Sequence, residues 1–505
     1  MPSFSMLFAL FCVLTAVVSN FTIVLMASPY IVSDLGGSND IAIYTVAFFG
    51  VGSAIGVPIG KPIAARMGSA KALVACVAAF TFCSWLCAIV PNYPLFIACR
   101  FLLGFAAGPI YPILNHLLSH VVPSKYLPHA LAIFVTILAV GPVFAACWGG
   151  FIAYEYIWRW AFYFNIPFFT LLSFFLWNRI GHYPQAPDKV PFDWIGYLFF
   201  SLGTFSLSLI AIMAQQLDWY RSPLLLTCFF IGLPSFLFFL LWSWHHPYPI
   251  VELHFFKRGT FAYGIFNLAI LFSVYFGTIV LLSLWLTLYV QYTPLWIAVL
   301  LGGMAIAGLI PSLLIQEKLG SFDPRYPLAA AIILLAISCF HTTIFSVEIN
   351  FERIAVSRVI AGFGLAIFLS PLFQLCFQSF PAEKSIDVIA IFQIVRNLAA
   401  GLGAAIYDII WQRRQVFFHE RLGEQLNVFS QQTKDFLQRT KQYFVPGDPN
   451  AQLDYYLERQ ARALALEDTF WLMSWILVGL LFLLFMTLSV RFKLLKDPSN
   501  SSKDS

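Results

Sequence analysis

Arg100-Phe101-Leu102-Leu103-Gly104-Phe105-Ala106 returns later in the chain as Arg358-Val359-Ile360-Ala361-Gly362-Phe363-Gly364. The likeness extends outward from both copies. A proline follows in each, Pro112 and Pro371. The next polar break holds Pro123 and Lys125 in one copy and Pro381 and Lys384 in the other. Beyond it, Leu138-Ala139-Val140-Gly141 matches Leu398-Ala399-Ala400-Gly401, and the offset stays close to 258–260 residues throughout. Both copies sit inside apolar runs of about twenty residues, each long enough to cross a hydrocarbon core of about 30 Å as a helix. About fourteen such runs fill the chain. Lipid gives backbone polar groups no water to bond, so a span must be a helix or part of a closed barrel. These runs are continuously apolar rather than alternating, which predicts helices. The expected fold is an all-α polytopic membrane protein: two six-helix bundles that repeat in parallel, plus two inserted transmembrane helices.

The repeat fixes the boundaries. The first six-span bundle is expected over 1–192, the two inserted spans over 193–245, the second bundle over 246–491, and a polar tail over 492–505. One long polar segment, 412–468, interrupts the second bundle before its last span. Apolar residues recur at helical spacing within it, over 413–428 and 451–465, on either side of a Pro446-Gly447-Asp448-Pro449 turn, which predicts a helical hairpin. Lys and Arg set the orientation. Lys61, Arg66, Lys71, Lys125, Lys257, Arg258, Arg325 and Lys384 gather on one side, with Arg491, Lys493 and Lys496 of the tail. The opposite short loops keep Arg159, Arg221 and Arg353. Both termini are therefore expected in the cytoplasm, and 412–468 outside.

Composition agrees with this class. Hydrophobic residues make up 60% of the chain and charged ones 10%, against about 25% charged in a soluble domain. The nine cysteines all fall within spans, so no external disulfide framework is expected. No Gly-x-x-x-x-Gly-Lys-Ser/Thr phosphate loop is present, which excludes an ATP-driven pump within this one chain. No Cys/His cluster has metal-ligand spacing. An enzyme, a cofactor and a nucleic-acid partner are not expected.

Ionisable residues at membrane depth are costly and mark cavities or partners. Arg100, Arg358 and Arg396 are the clearest, with Asn20, Asn115, Gln393 and Asn397 as uncharged companions. The arginines have two readings. They lock spans together through carbonyls, or they line a central path and meet an anionic group with the guanidinium fork. Asp408 and His116 are the titratable groups left near the bundle. Glycines four residues apart, such as Gly104 and Gly108, allow close helix approach.

An ordered series of motifs resembles the fourteen-span drug:proton antiporter branch of the major facilitator superfamily, the EmrB/QacA type. Asn20-Phe21-Thr22-Ile23-Val24 through Ser28-Pro29 follows its first-span pattern. Arg66-Met67-Gly68 with Lys71 follows the superfamily loop after span two, and Arg100, Gly104, Gly108-Pro109 and Pro112 its fourth span. Trp158-Arg159-Trp160, Asn165 and Pro167 form the most specific local match. Leu217-Asp218-Trp219, Pro249-Ile250-Val251-Glu252-Leu253 and Arg396 to Gly401 fall where that family has similar residues. Four departures stand beside these. The family's span-one Asp is Asn20, Ala65 replaces the loop Asp, and Leu103 replaces the Gln of span four. The fifth-span Gly-Pro-x-x-Gly-Gly signature has Ala145-Ala146 in place of Gly-Pro. Gly149-Gly150 remain, and Gly141-Pro142 sits one turn earlier.

The resemblance implies a secondary exporter in a bacterial inner membrane, alternating access between its halves. It implies proton-coupled export of amphipathic drugs or other small organic compounds. Arg66, Gly68, Gly104, Gly141, Pro142, Gly149 and Gly150 would then be conformational motifs. It also implies a periplasmic adaptor protein and an outer-membrane channel as partners. Unpaired arginines and the lost acid at Asn20 point to an alternative cargo, an anionic metabolite or siderophore. The alternative from another class is a non-transporting membrane scaffold or sensor.

Overall fold

A computed structural model describes residues 4–38, 41–123, 125–180, 192–319, 322–377, 380–381, 384–426, 431, 434–435, 438 and 449–489. Fourteen helices are long and apolar enough to cross a membrane. In chain order, and numbered here as spans 1 to 14, they are Ser5–Thr22, Tyr44–Met67, Ser69–Ile89, Tyr93–Val121, Leu127–Glu155, Trp160–Asn178, Trp194–Met213, Pro223–His245, Gly259–Leu288, Pro294–Ile315, Arg325–Thr342, Phe351–Phe377, Ser385–Glu424 and Asn450–Leu484. The Pro446-Gly447-Asp448 turn, Arg491 and the tail 492–505 lie outside the described residues.

The repeat seen in the sequence is a repeat of packing. In the first bundle span 2 packs on span 4, span 1 on span 5, and span 3 on both span 4 and span 6. In the second bundle span 10 packs on span 12, span 9 on span 13, and span 11 on both span 12 and span 14. Each pair recurs eight spans later. The bundles meet at two seams related by the same rule, span 5 against span 10 and span 13 against span 2. Spans 7 and 8 pair with each other, and span 7 lies against spans 2 and 13. The inserted pair therefore backs one seam.

Prolines mark several helix starts and breaks. The first helix ends at Thr22, and a short helix, Ser28–Asp34, starts with Pro29 in its first turn. A proline suits that position, where its missing N–H has no helical partner anyway. Span 4 is broken between Tyr93–Ala107 and Ile110–Val121 at Gly108-Pro109. Span 5 instead continues through Pro142. A proline inside a helix frees nearby carbonyls, which need new donors at membrane depth. Thr22 Oγ1 donates to the Pro142 carbonyl, and Tyr275 Oη reaches from the other bundle to the Ala139 carbonyl at 2.9 Å.

The long polar segment is organised differently from a separate hairpin. Span 13 runs without interruption as a helix from Ser385 to Gln425, and the last helix runs from Pro449 to Ser489. The polar arms are thus extensions of the spans. They are tied by the Arg414–Asp468 ion pair and by a Trp411 Nε1 to Arg462 carbonyl bond of 3.1 Å. Arg459 donates to the Tyr289 carbonyl at the end of span 9.

Glycines permit the closest approaches. A Cβ on Gly52 or Gly56 would overlap the carbonyl oxygens of Phe101 or Phe105. One on Gly104 or Gly108 would overlap those of Phe49 or Ser53, so spans 2 and 4 touch backbone to backbone. Gly149 is similarly pressed against the Ile23 carbonyl, whereas a Cβ on Gly479 meets nothing within 4 Å. Gly149→Ala should therefore destabilise the first bundle by about 1–3 kcal/mol, the usual cost of overpacking. Gly479→Ala should be neutral. Thermal unfolding of the detergent-solubilised protein checks the pair, and equal melting temperatures would contradict the packing argument.

Candidate functional site

Between the bundles, at mid-depth, is a small cavity. Val18 and Phe21 of span 1, Tyr111 of span 4, Pro142 of span 5, Phe272 and Phe276 of span 9, and Arg396, Asn397 and Ala400 of span 13 line it. It has room for roughly one water molecule. Phe21 and Phe276 meet edge to face at 4.8 Å. The Arg396 guanidinium lies 4.9 Å from the Tyr111 ring centre and 5.9 Å from that of Phe272. Cation–π contact of this kind offsets part of the cost of burying the charge. Arg396 is 4% exposed, and its Nη2 donates to Asn397 Oδ1 at 2.9 Å. Among the described residues no carboxylate pairs with it. The cavity is a greasy aromatic sleeve with one uncompensated positive charge.

The other two arginines sit elsewhere. Arg100 is fully buried within the first bundle. Its Nε donates to the Thr45 carbonyl at 2.9 Å and its Nη2 to the Asn20 carbonyl at 3.0 Å, and its guanidinium lies 4.7 Å from the Phe49 ring centre. Arg358, at the repeat-related position, is fully buried within the second bundle. Its Nη2 donates to the hydroxyls of Ser338, Thr342 and Ser357. Neither lines the cavity. The arginines that the repeat makes equivalent do the same job, tying together the spans of their own half. Arg396 has no arginine counterpart in the first half.

Asn20 is buried beside Arg100, one helical turn from the backbone it caps. Its Nδ2 donates to the Ala16 carbonyl, and its Oδ1 accepts from Asn165 Nδ2 at 3.0 Å. Asn165 belongs to the Trp158 to Pro167 motif and also reaches Ser84 Oγ and the Ala161 carbonyl. The front of the same motif is held by Asp34, which accepts from Trp158 Nε1 and pairs with Arg159. Gln393 and Asn115 are buried one turn from Arg396 and Tyr111 along spans 13 and 4. Neither Gln393 amide atom, nor Asn115 Oδ1, has a partner among the described residues.

Neither Asp408 nor His116 lines the cavity. Asp408 lies three turns beyond Arg396 on span 13, roughly 18 Å along the helix, and accepts from Gln412 Nε2. His116 is half-buried with its ring 4.2 Å from that of His120. Arg66 is exposed at the end of span 2. Gly68, with φ 82°, makes the turn into span 3 in a region that disfavours side chains. A Cβ on Gly141 would stand a tight 3.0 Å from Val18 Cγ1, and Gly150 is pressed on the Pro294 carbonyl of span 10, across the bundle interface.

Several residues at the interface escape a reading along one chain. Lys61 Nζ of span 2 pairs with Asp387 Oδ1 of span 13 at 2.7 Å. It is the one ion pair between the bundles among the described residues, at the end that the Lys and Arg bias assigns to the cytoplasm. Ser53 accepts from Asn397, and Thr136 Oγ1 meets Ser312 Oγ at 2.6 Å across the other seam. Partners 176 to 344 residues apart leave no local signal. The internal repeat was the available clue, because Ser53 and Ser312 stand at its offset.

The sequence matches the family described as Major Facilitator Superfamily over residues 9–404. Over 409 residues it is 28% identical to the "Fatty acid resistance protein FarB" of Neisseria gonorrhoeae, covering 81% of each chain. It is 26% identical to the "Multidrug export protein EmrB" of Haemophilus influenzae, covering 91% of each. Among solved structures, a bacterial homologue of the human lysosomal transporter Spinster, inward-facing and unoccupied, aligns over 96% of this chain and 97% of its own. The TM-score is 0.57 at 14% identity. The human organic anion transporter MFSD10 (TETRAN) aligns with a TM-score of 0.56 at 11% identity, over 94% of this chain and all of that one. At such identities these two structures support the fold alone. With fourteen spans, two repeated bundles and a family match over most of its length, the chain belongs to the Major Facilitator Superfamily and is a multi-pass secondary transporter of the bacterial inner membrane.

Proposed function

We propose that this transporter exports amphipathic organic compounds, with Arg396 receiving a negatively charged head group and the aromatic sleeve receiving the apolar part. The observation that carries the reading is the uncompensated Arg396 guanidinium among Phe21, Tyr111, Phe272 and Phe276. A guanidinium in so apolar a setting favours an anion over a cation or a neutral compound, because it gains the opposite charge that no carboxylate among the described residues supplies. The relation to FarB and EmrB supports export as the direction. Asn115 and Gln393 lie beside the path and supply further hydrogen-bonding atoms to a cargo. Arg100, Arg358 and Asn20 serve the path indirectly by holding the spans around it.

The proton gradient is the proposed energy source. Asn20 cannot titrate, and neither Asp408 nor His116 lines the cavity, so the coupling group is sought at the interface instead. Asp387, paired with Lys61, is a carboxylate placed where protonation would loosen the cytoplasmic contact of the bundles. The external arms of spans 13 and 14 are the surface on which a periplasmic adaptor, and through it an outer-membrane channel, would sit.

The test is export by cells with and without the protein, using dodecanoate as the anionic probe and dodecanol as its uncharged counterpart, each with and without a protonophore. Dodecanoate accumulation is expected to fall in cells that carry the protein, and to recover with the protonophore. Dodecanol accumulation is expected to be unaffected. Equal export of both compounds would remove the anion from the proposal, and export of neither would favour the scaffold reading.

A further inference from the structure

Each seam between the bundles carries a fully buried side-chain hydrogen bond. Ser53 and Ser312 stand at the repeat offset and their partners Asn397 and Thr136 one residue off it, and the first seam also carries the more exposed Lys61–Asp387 pair at its inner end. On one seam Asn397 Nδ2 donates to Ser53 Oγ at 2.8 Å. On the other, the hydroxyls of Thr136 and Ser312 meet at 2.6 Å. All four residues are buried. The two bonds differ in one respect. Asn397 lines the central cavity and its second amide atom, Oδ1, is held by Arg396. Neither Thr136 nor Ser312 lines the cavity.

A carboxamide is planar, so its oxygen and nitrogen cannot move independently. The guanidinium that holds Oδ1 also fixes the direction in which Nδ2 points, toward Ser53. We infer that Asn397 is a positioning residue that couples occupancy of the cavity to separation of the bundles. An anion that draws the Arg396 guanidinium to itself removes the donor from Oδ1. The amide then turns freely, and Ser53 loses its bond across the seam. Span 2 does not absorb this change locally, because Gly52, Gly56, Gly104 and Gly108 bind it backbone to backbone to span 4. The two spans move as a unit. The opposite seam keeps its Thr136–Ser312 bond and serves as the pivot. Binding is thus wired to one of two equivalent contacts, the one backed by the inserted spans. This rests on the proposed role of Arg396 as the head-group site.

The experiment is backbone hydrogen–deuterium exchange across span 2 (Tyr44–Met67) of the full chain in lipid nanodiscs, with and without dodecanoate, whose binding is measured in parallel. In the parent protein, dodecanoate should speed exchange about fivefold, the shift expected from losing one hydrogen bond. Ser53→Ala should exchange at the faster rate without dodecanoate, respond no further, and bind it about fivefold more tightly, because binding no longer costs the bond. Thr136→Val should still respond. Arg396→Met, without any added compound, should also exchange faster, and Arg396→Lys, which retains a donor, should stay near the parent. The inference is overturned if Arg396→Met exchanges at the parent rate, or if Ser53→Ala responds to dodecanoate as the parent does. The head-group reading fails separately, if dodecanoate binds the parent and Arg396→Met equally well. The ligand-free comparison of those two proteins still decides the coupling.

Discussion

Arg396→Ala should abolish dodecanoate export while leaving the amount of folded protein in the membrane near normal. Arg100→Ala and Arg358→Ala should do the reverse in the first instance, lowering the amount of folded protein. The difference follows from what each guanidinium touches. Arg396 faces a cavity and bonds one neighbouring amide. Removing it takes away a charge-assisted contact to the cargo worth about 1.5–3 kcal/mol, roughly a ten- to more than hundredfold loss of affinity. Arg100 instead satisfies the carbonyls of Thr45 and Asn20 and joins spans 1, 2 and 4. Its loss leaves those acceptors without a donor in a site closed to water, at about 1–3 kcal/mol for each unsatisfied group. Arg358 holds three hydroxyls of spans 11 and 12 in the same way. Export per folded molecule, with membrane amounts measured on a blot and by fluorescence size-exclusion, separates the two outcomes. If Arg100→Ala accumulated normally and failed to export, Arg100 would return to the path. If Arg396→Ala exported dodecanoate at the parent rate, the cavity assignment would be wrong.

The contrast among these arginines shows what a sequence of this kind reveals. Fourteen spans were legible because each hydrocarbon crossing demands a long apolar run, and the two-bundle plan because Arg100 to Ala106 recurs at Arg358 to Gly364. Depth was legible too, since position within a run is height in the membrane. Direction around the helix axis was not. In a bundle buried on several sides, apolar residues surround a helix, and no amphipathic stripe says which side faces the path. Arg100 and Arg396 look alike in sequence and differ by the face on which they emerge. Proline acted more locally than run length suggests, breaking span 4 at Pro109. The polar arms, 412–425 and 449–468, read as a separate external element because their composition changes. Helical hydrogen bonding runs on through that change, and the arms continue spans 13 and 14. Lys61 entered the sequence reading only through the orientation bias and Asp387 not at all, since nothing in one sequence joins positions 326 apart.

Joining Cys147 to a cysteine introduced at position 302 should stop export, and reduction should restore it. Cys147 lies in the outer half of span 5 and Gly302 in the outer half of span 10, on opposite sides of the seam between the bundles. A Cβ on Gly302 would stand 3.3 Å from Cys147 Sγ, with no other atom within 4 Å. The new side chain therefore has space, and a Cβ this close to the opposing sulfur can be bridged with little adjustment, since the S–S bond is about 2.0 Å long. Gly302→Cys alone, kept reduced, should export normally. Mild oxidation should then hold the bundles together on this side, and a transporter that must part them to release its cargo outward can no longer complete a cycle. Gly150 of span 5 is already against Pro294 and Ala298 of span 10 there, so the link adds little strain to the closed arrangement. Because eight further cysteines are present, the control is Cys147→Ser with Gly302→Cys, which should be indifferent to the oxidant. A migration shift on a non-reducing gel after cleavage between the bundles reports the link itself. Export that continued at the parent rate in fully linked protein would mean that the outer half of this seam, beyond the Thr136–Ser312 pivot, stays closed during transport.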